Sequence, residues 1–147
     1  MPKNQKQKVI AVVGPTASGK SGLGIFLAKR FDGEIISADS RQVYRGMDIG
    51  TGKVSKKEQK LAKHYLLDVA NPKKVFTVSD FKKLGGKAID DIVSHHKLPI
   101  VVGGTAFYVD TLLKDLRLPE VPPNKKLRVK LAKQSAKQLF SRLLALD

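Results

Sequence analysis

Residues 14–21 read GPTASGKS, directly after the apolar run KVIAVV at residues 8–13. The octet satisfies G-x-x-x-x-G-K-[ST], the pattern of a backbone loop that wraps a phosphate. Gly14 and Gly19 let the chain curl so that successive N–H groups point inward. The result is an anion nest at the start of a helix, where the dipole also favours negative charge. Lys20 adds a cation with reach, and Ser21 offers a hydroxyl to Mg²⁺. The flanks agree with this reading. KVIAVV has the character of a buried strand, and SGLGIFLAKRF that of a helix with Leu23, Phe26 and Leu27 on its apolar face. The candidate diphosphate- or nucleotide-binding residues are therefore Gly14, Pro15, Thr16, Ala17, Ser18, Gly19, Lys20 and Ser21, with Ser21 as the metal ligand. The loop alone does not separate ATP from GTP or from another diphosphate.

Working outward, residues 1–8 (MPKNQKQK) read as a basic flexible tail. The loop-following helix is expected to stop near Phe31, at the Asp32-Gly33 turn. A second strand, EIISA, runs into DSRQVYRGMDIGTGK, a polar, glycine-rich stretch with the composition of a functional loop. SKKEQKLAK reads either as a short charged helix or as a mobile segment. HYLLDV reads as a third strand closed by Asn71-Pro72. TVSDFKKLGGKAIDDIVSHH is a helix, capped by Thr77 or Ser79, with Phe81, Leu84, Ala88 and Ile92 inward. Its Gly85-Gly86 pair calls for a kink or for close packing on the sheet, because glycine costs about 1 kcal/mol against alanine in a helix interior. LPIVVGGT is a fourth strand ending in a glycine turn, and AFYVDTLLKD a helix after it. LPEVPP reads as a linker, and NKKLRVKLAKQSAKQLFSRLLALD as a basic amphipathic helical stretch.

Strands alternating with helices give an α/β layered fold with a mostly parallel sheet. Ligands of such sheets sit beyond the carboxyl ends of the strands. Three of those ends carry polar loops here: GPTASGKS, DSRQVYRG and GGTAFY.

Composition narrows the chemistry. The chain has 147 residues, 41% of them hydrophobic, enough for one domain with a real core. It has no cysteine, so disulfides, thiolate metal sites and thiol catalysis are excluded. No apolar stretch approaches membrane-spanning length and no signal-peptide pattern opens the chain, so a cytoplasmic location is expected. The formal net charge of +15 favours phosphate-rich partners, nucleic acid above all.

An ordinary P-loop kinase ends a strand in an aspartate that helps hold Mg²⁺. The fourth strand has two glycines and Thr105 there instead. Asp68 is a substitute, but it sits inside an apolar strand, and no arginine-bearing lid is evident between Gly46 and Pro72. A carboxylate does follow the second strand. Asp39, flanked by Ser40, Arg41 and Gln42, can bind Mg²⁺ or accept a proton from an attacking nucleophile. Gln42 suits a bidentate match to an adenine edge, or a plain loop hydrogen bond. His64, His95 and His96 have no metal-like spacing and read as surface or core residues. Tyr44 and Tyr108 read as packing residues.

Taken together, GPTASGKS, IISADSRQVYRGMDIGTGK, HYLLDV and VVGGTAFY resemble the tRNA dimethylallyltransferase (tRNA isopentenyltransferase) family, in that family's order and spacing, over roughly residues 9–128. The resemblance implies a P-loop NTPase-like core over residues 9–118. It implies that residues 119–147 are a linker and the start of a helical tRNA-binding insertion. In that family the loop holds the diphosphate of dimethylallyl diphosphate, Mg²⁺ assists, and the prenyl group passes to N6 of the adenine beside the tRNA anticodon. Asp39 then matches the catalytic aspartate and Thr105 a catalytic threonine near the scissile oxygen. Residues Asp39, Ser40, Arg41 and Gln42, with Arg128, match positions that touch tRNA. A monomer is expected. The family normally runs to about twice this length, on the scale of typical domains, and returns to the sheet with a further strand. An uncovered sheet edge is therefore expected here. An ATP-dependent small-molecule or nucleotide kinase, and a non-catalytic fragment that binds diphosphate or RNA, are the alternatives.

Overall fold

The structure, a computed structural model, describes residues 8–114, 116 and 121–146. Most of the N-terminal tail and part of the linker lie outside the described residues. The chain divides after Arg117 into two units. The first contains β1 (Ile10–Val13), α1 (Lys20–Arg30), β2 (Gly33–Ser37), α2 (Lys56–Gln59), β3 (His64–Tyr65), α3 (Val78–Ser94), β4 (Leu98–Gly103) and α4 (Ala106–Leu113). Its four strands form one sheet in the order β1-β4-β2-β3, and every pair is parallel.

The two central strands carry buried apolar residues on both faces, as a sheet covered on both sides requires. Alternate side chains feed two cores. Ile36, Ala38 and Val101 face α3 and α4, where Phe81, Ala88, Ile92 and Tyr108 fill the layer. Ile35, Ile100 and Val102 face α1 with Val12, Ile25 and Ala28. Tyr108 stacks on Phe81 with ring centroids 4.0 Å apart, so it is a packing residue.

Three sequence expectations are corrected. On α1 the inward residues are Gly24, Ile25 and Ala28, whereas Leu23 and Phe26 are 50% and 61% exposed. The reason is close approach. A Cβ on Gly24 would lie 2.7 Å from Val102 Cγ2, so the helix rests on β4 through a position that has no side chain. On α3, Gly85 rather than Leu84 is buried. It lets Leu112 of α4 come within 3.0 Å of where a Cβ would stand, and the helix runs on without a break. The third strand is only His64–Tyr65, because Leu66 and Asp68 take left-handed backbone, φ 64° and 58°, which ends the extended run.

Capping sets the other boundaries. Thr77 and Asp80 form a reciprocal capping box at the start of α3, and Ser55 and Glu58 another at α2, which resolves SKKEQKLAK as a four-residue helix. β1 forms one edge of the sheet. Val13 there is 59% exposed.

The second unit holds α5 (Lys125–Leu131) and α6 (Ala136–Leu144), capped by Asn124 and by a Ser135–Gln138 box. Neither helix buries a residue. Phe140, Leu143 and Leu144 of α6 are exposed.

Candidate functional site

The loop between β1 and α1 has the geometry its spelling demands. Gly14 and Gly19 sit at φ 154° and 81°, and Ala17 is also left-handed at φ 63°. Gly19 is the N-cap of α1 and supplies no side-chain cap. The first turn of the helix carries no acid. The opening N–H groups of α1 therefore have no side-chain acceptor, the condition under which a helix start receives an anion. The Lys20 ammonium folds back on the Pro15 carbonyl and lies 3.4 Å from Ser18 Oγ, while Ser18 Oγ donates to Pro15 O at 2.8 Å.

A cavity of about 450 Å³ opens beside this loop. Thr16 through Gly22 line it together with Asp39, Arg41, Gln42, Thr51, Gly52, Glu58, His64 and the Val102–Gly104 strand end. Gly14, Pro15, Ser40 and Thr105 are not on its wall. The carboxyl ends of three strands thus converge, as parallel-sheet topology requires.

Asp39 is held in one orientation. Its Oδ1 accepts from the N–H of Arg41 at 2.8 Å and of Gln42 at 3.3 Å, an Asx turn that leaves Oδ2 without a hydrogen bond among the described residues. The Gln42 carboxamide is also held. Its Nε2 donates to Gly52 O at 3.4 Å and its Oε1 accepts from Val54 N–H at 3.5 Å. Each end keeps one further donor or acceptor, so a base edge can still be matched. Thr105 is the N-cap residue of α4, but its hydroxyl does not cap the helix. It accepts from Ser40 N–H at 3.0 Å and lies 3.3 Å from Ser40 Oγ, joining the β4 end to the Asp39 turn. Arg128 lies in α5, in the second unit.

Asp68 is not available as a kinase-type metal ligand. Its Oδ1 accepts from the Lys53 ammonium at 2.5 Å. Among the described residues no group of three His, Asp or Glu is placed to hold a metal ion.

Sequence spacing missed His64, which lines the cavity. Its Nδ1 lies 2.8 Å from the Ala62 carbonyl, an oxygen that can only accept, so Nδ1 carries the proton and Nε2 is left as an acceptor. Burial holds its pKa below the ordinary value of 6.5, against the opposing pull of the Ala62 carbonyl and Glu58. The sign of the pH effect follows. Below about pH 6.5 the unfolded chain takes up a proton that the folded chain resists, so this group's contribution to stability is lost as pH falls through its folded pKa. Urea midpoints measured between about pH 7.5 and pH 5.5 should fall less steeply in His64→Asn than in the native chain. Parallel curves for the two proteins would contradict this.

Comparison with known proteins places this arrangement in a family. The family described as IPP transferase matches residues 42–147. A tRNA dimethylallyltransferase of Exiguobacterium sp. is 46% identical over 97% of this chain and 47% of its own length. One from Streptococcus agalactiae is 51% identical over 95% and 48%. The crystal structure of the tRNA isopentenylpyrophosphate transferase of Bacillus halodurans superposes with a TM-score of 0.76 at 38% identity, covering 97% of this chain and 48% of that one. A eukaryotic dimethylallyltransferase, crystallised acting on tRNA, gives 0.81 at 33% identity, over 97% and 36%. The chain thus spans about half the length of the bacterial relatives it matches. The fold is the P-loop NTPase-like fold of these enzymes. With a family match across more than two thirds of its residues and the phosphate loop, Asp39 turn and glycine strand end in one cavity, the chain belongs to the IPP transferase family.

Proposed function

We propose that this chain binds dimethylallyl diphosphate and the target adenine of tRNA and takes part in transferring the dimethylallyl group to N6 of that adenine. The observation that supports it best is the shared cavity. An anion nest with Lys20 and a half-used carboxylate, Asp39, open on the same space.

The reaction asks two things of the protein. As the allylic C1–O bond breaks, the electron pair leaves with the diphosphate, and its growing charge needs stabilising. The loop N–H groups and Lys20 are placed to do so, since fixed donors and charges in a sheltered site act strongly on developing charge. As N6 bonds to C1, it must lose a proton, and Asp39 Oδ2 is the free carboxylate oxygen on the cavity. Gln42 would orient the adenine edge. Thr105, through Ser40, would hold the Asp39 turn against the strand end, and Arg128 would meet tRNA phosphate from the second unit.

Mg²⁺ fits the donors present. Ser21 supplies one hydroxyl on the cavity wall, and a diphosphate supplies oxygens, which suits an ion that takes few protein ligands. When bound it would neutralise diphosphate charge. No helix among the described residues is long and apolar enough to cross a membrane. We place the reaction in the cytoplasm, with the chain as a monomer.

The test is a transfer assay with unmodified tRNA, Mg²⁺ and dimethylallyl diphosphate, read by mass spectrometry of the digested nucleosides. Prenylated adenosine is expected, reduced about 10²–10³-fold in Lys20→Ala, the scale of removing one donor to developing charge. ATP binding in preference to dimethylallyl diphosphate would favour a kinase. Diphosphate binding by folded protein without product would favour a non-catalytic fragment.

A further inference from the structure

The connection from Asp39 to Lys63 supplies seven of the cavity's nineteen lining residues, yet its only regular element is the four-residue α2. One side chain gathers it. The Lys53 ammonium is 3% exposed and donates to three oxygens: Tyr44 O at 2.7 Å, Asp48 Oδ1 at 2.7 Å and Asp68 Oδ1 at 2.5 Å. An ammonium has three N–H groups, and all three are used. The acceptors come from the turn after Asp39, from the loop tip and from the segment after β3, so a single cation ties two points of its own loop to the segment that follows β3. Burial by itself would discharge the group. The two carboxylates more than offset that and raise its pKa, so it stays charged.

The backbone beside Lys53 completes the connection to the site. Gly52 O and Val54 N–H, its two immediate neighbours, are the groups that hold the two ends of the Gln42 carboxamide. Lys53 N–H also donates to Asp48 O at 3.1 Å, closing the tip as a tight turn. Movement of residue 53 therefore moves both clasps on Gln42 at once.

We infer that Lys53 is a positioning residue for the acceptor base: it presets the Gln42 carboxamide in the cavity and thereby sets the preference for adenine. The inference rests on the proposed reading of the cavity as an adenine site. It separates two functions of one cavity. The anion nest of the β1–α1 loop has no bond to Lys53, whereas the base-reading wall depends on it.

The test compares the native chain with Lys53→Met and with Lys53→Met/Asp68→Asn, which also removes the less exposed of the two carboxylates left behind. Three quantities are read: affinity for inorganic diphosphate with Mg²⁺, the ratio of affinities for an RNA hairpin carrying adenine or an abasic site at the target position, and amide exchange over residues 41–54. In Lys53→Met the adenine preference should drop about tenfold or more, the scale of a small misplacement of a reacting group, with exchange over 41–54 faster and diphosphate affinity within about twofold. The double variant should regain thermal stability without regaining the preference. An intact preference in folded Lys53→Met, or one that returns with stability in the double variant, overturns the inference alone. A native chain that does not distinguish adenine from an abasic site overturns the adenine reading, and the inference with it.

Discussion

Asp39→Asn should lower the transfer rate by about 10²–10⁴-fold, the range associated with a positioned general base. The substitution is chosen for what it preserves. Asparagine keeps an Oδ1 acceptor for the Arg41 and Gln42 N–H groups, so the Asx turn remains. What disappears is a proton-accepting oxygen at Oδ2. Diphosphate affinity should hardly move, because the anion nest lies in the β1–α1 loop and Lys20 bonds within that loop. Initial rates on unmodified tRNA, with diphosphate binding measured in parallel, check both halves. A variant within about tenfold of the native rate would remove Asp39 from the chemistry. Loss of diphosphate affinity would instead mean that the carboxylate serves the metal and not the amine.

The second large effect is on folding. Gly103→Ala is expected to destabilise the chain by about 3 kcal/mol or more, beyond the usual cost of overpacking, because nothing soft is available to yield. A Cβ there would lie 2.1 Å from the Ala38 carbonyl oxygen and 2.4 Å from its carbon, both backbone atoms. That backbone is itself pinned. Ala38 N–H donates to Val102 O at 2.8 Å, and Ala38 O accepts from Thr105 N–H at 3.2 Å. Relief would have to break the junction that brings the Asp39 turn to the β4 end. Against a typical total stability of about 5–15 kcal/mol, the variant should show a urea midpoint far below the native one or no cooperative transition at all. A normal midpoint would show that the junction has room the native geometry does not reveal.

Local chemistry made much of this molecule legible. The phosphate loop announces itself because left-handed positions require glycine and because strand and helix flank it. The start of α3 is readable from Thr77 and Asp80, whose reciprocal bonds are a neighbour effect. Contacts between distant segments were not readable. Periodicity counts apolar side chains, so it favoured Leu23 and Phe26 for the inward face of α1 and passed over Gly24, whose merit is having no side chain. HYLLDV looked like a full strand, since nothing in an apolar run betrays left-handed backbone at Leu66 and Asp68. Nothing in the sequence marks Lys53 among the other lysines. Only the fold shows three oxygens converging on it. His64 was set aside for lacking metal spacing, but the criterion that matters for it is its place on the cavity wall.

The pairing of β2 with β4 has a further consequence. Both strands are buried along nearly their whole length, and β2 carries an isoleucine on each face, Ile35 and Ile36, so sliding one strand past the other by a residue would still bury an isoleucine on either side. Alternation therefore cannot select the alignment Gly33↔Leu98 through Ser37↔Val102. Glycine can. At one end a Cβ on Gly33 would stand 2.7 Å from Leu98 O, and at the other Gly103 abuts Ala38 O. A one-step slip would carry Glu34 or Val102 toward places that admit only hydrogen. Two missing methyl groups thus act as end stops for the strand pair, and the alignment they enforce puts the Asp39 turn level with the glycine end of β4.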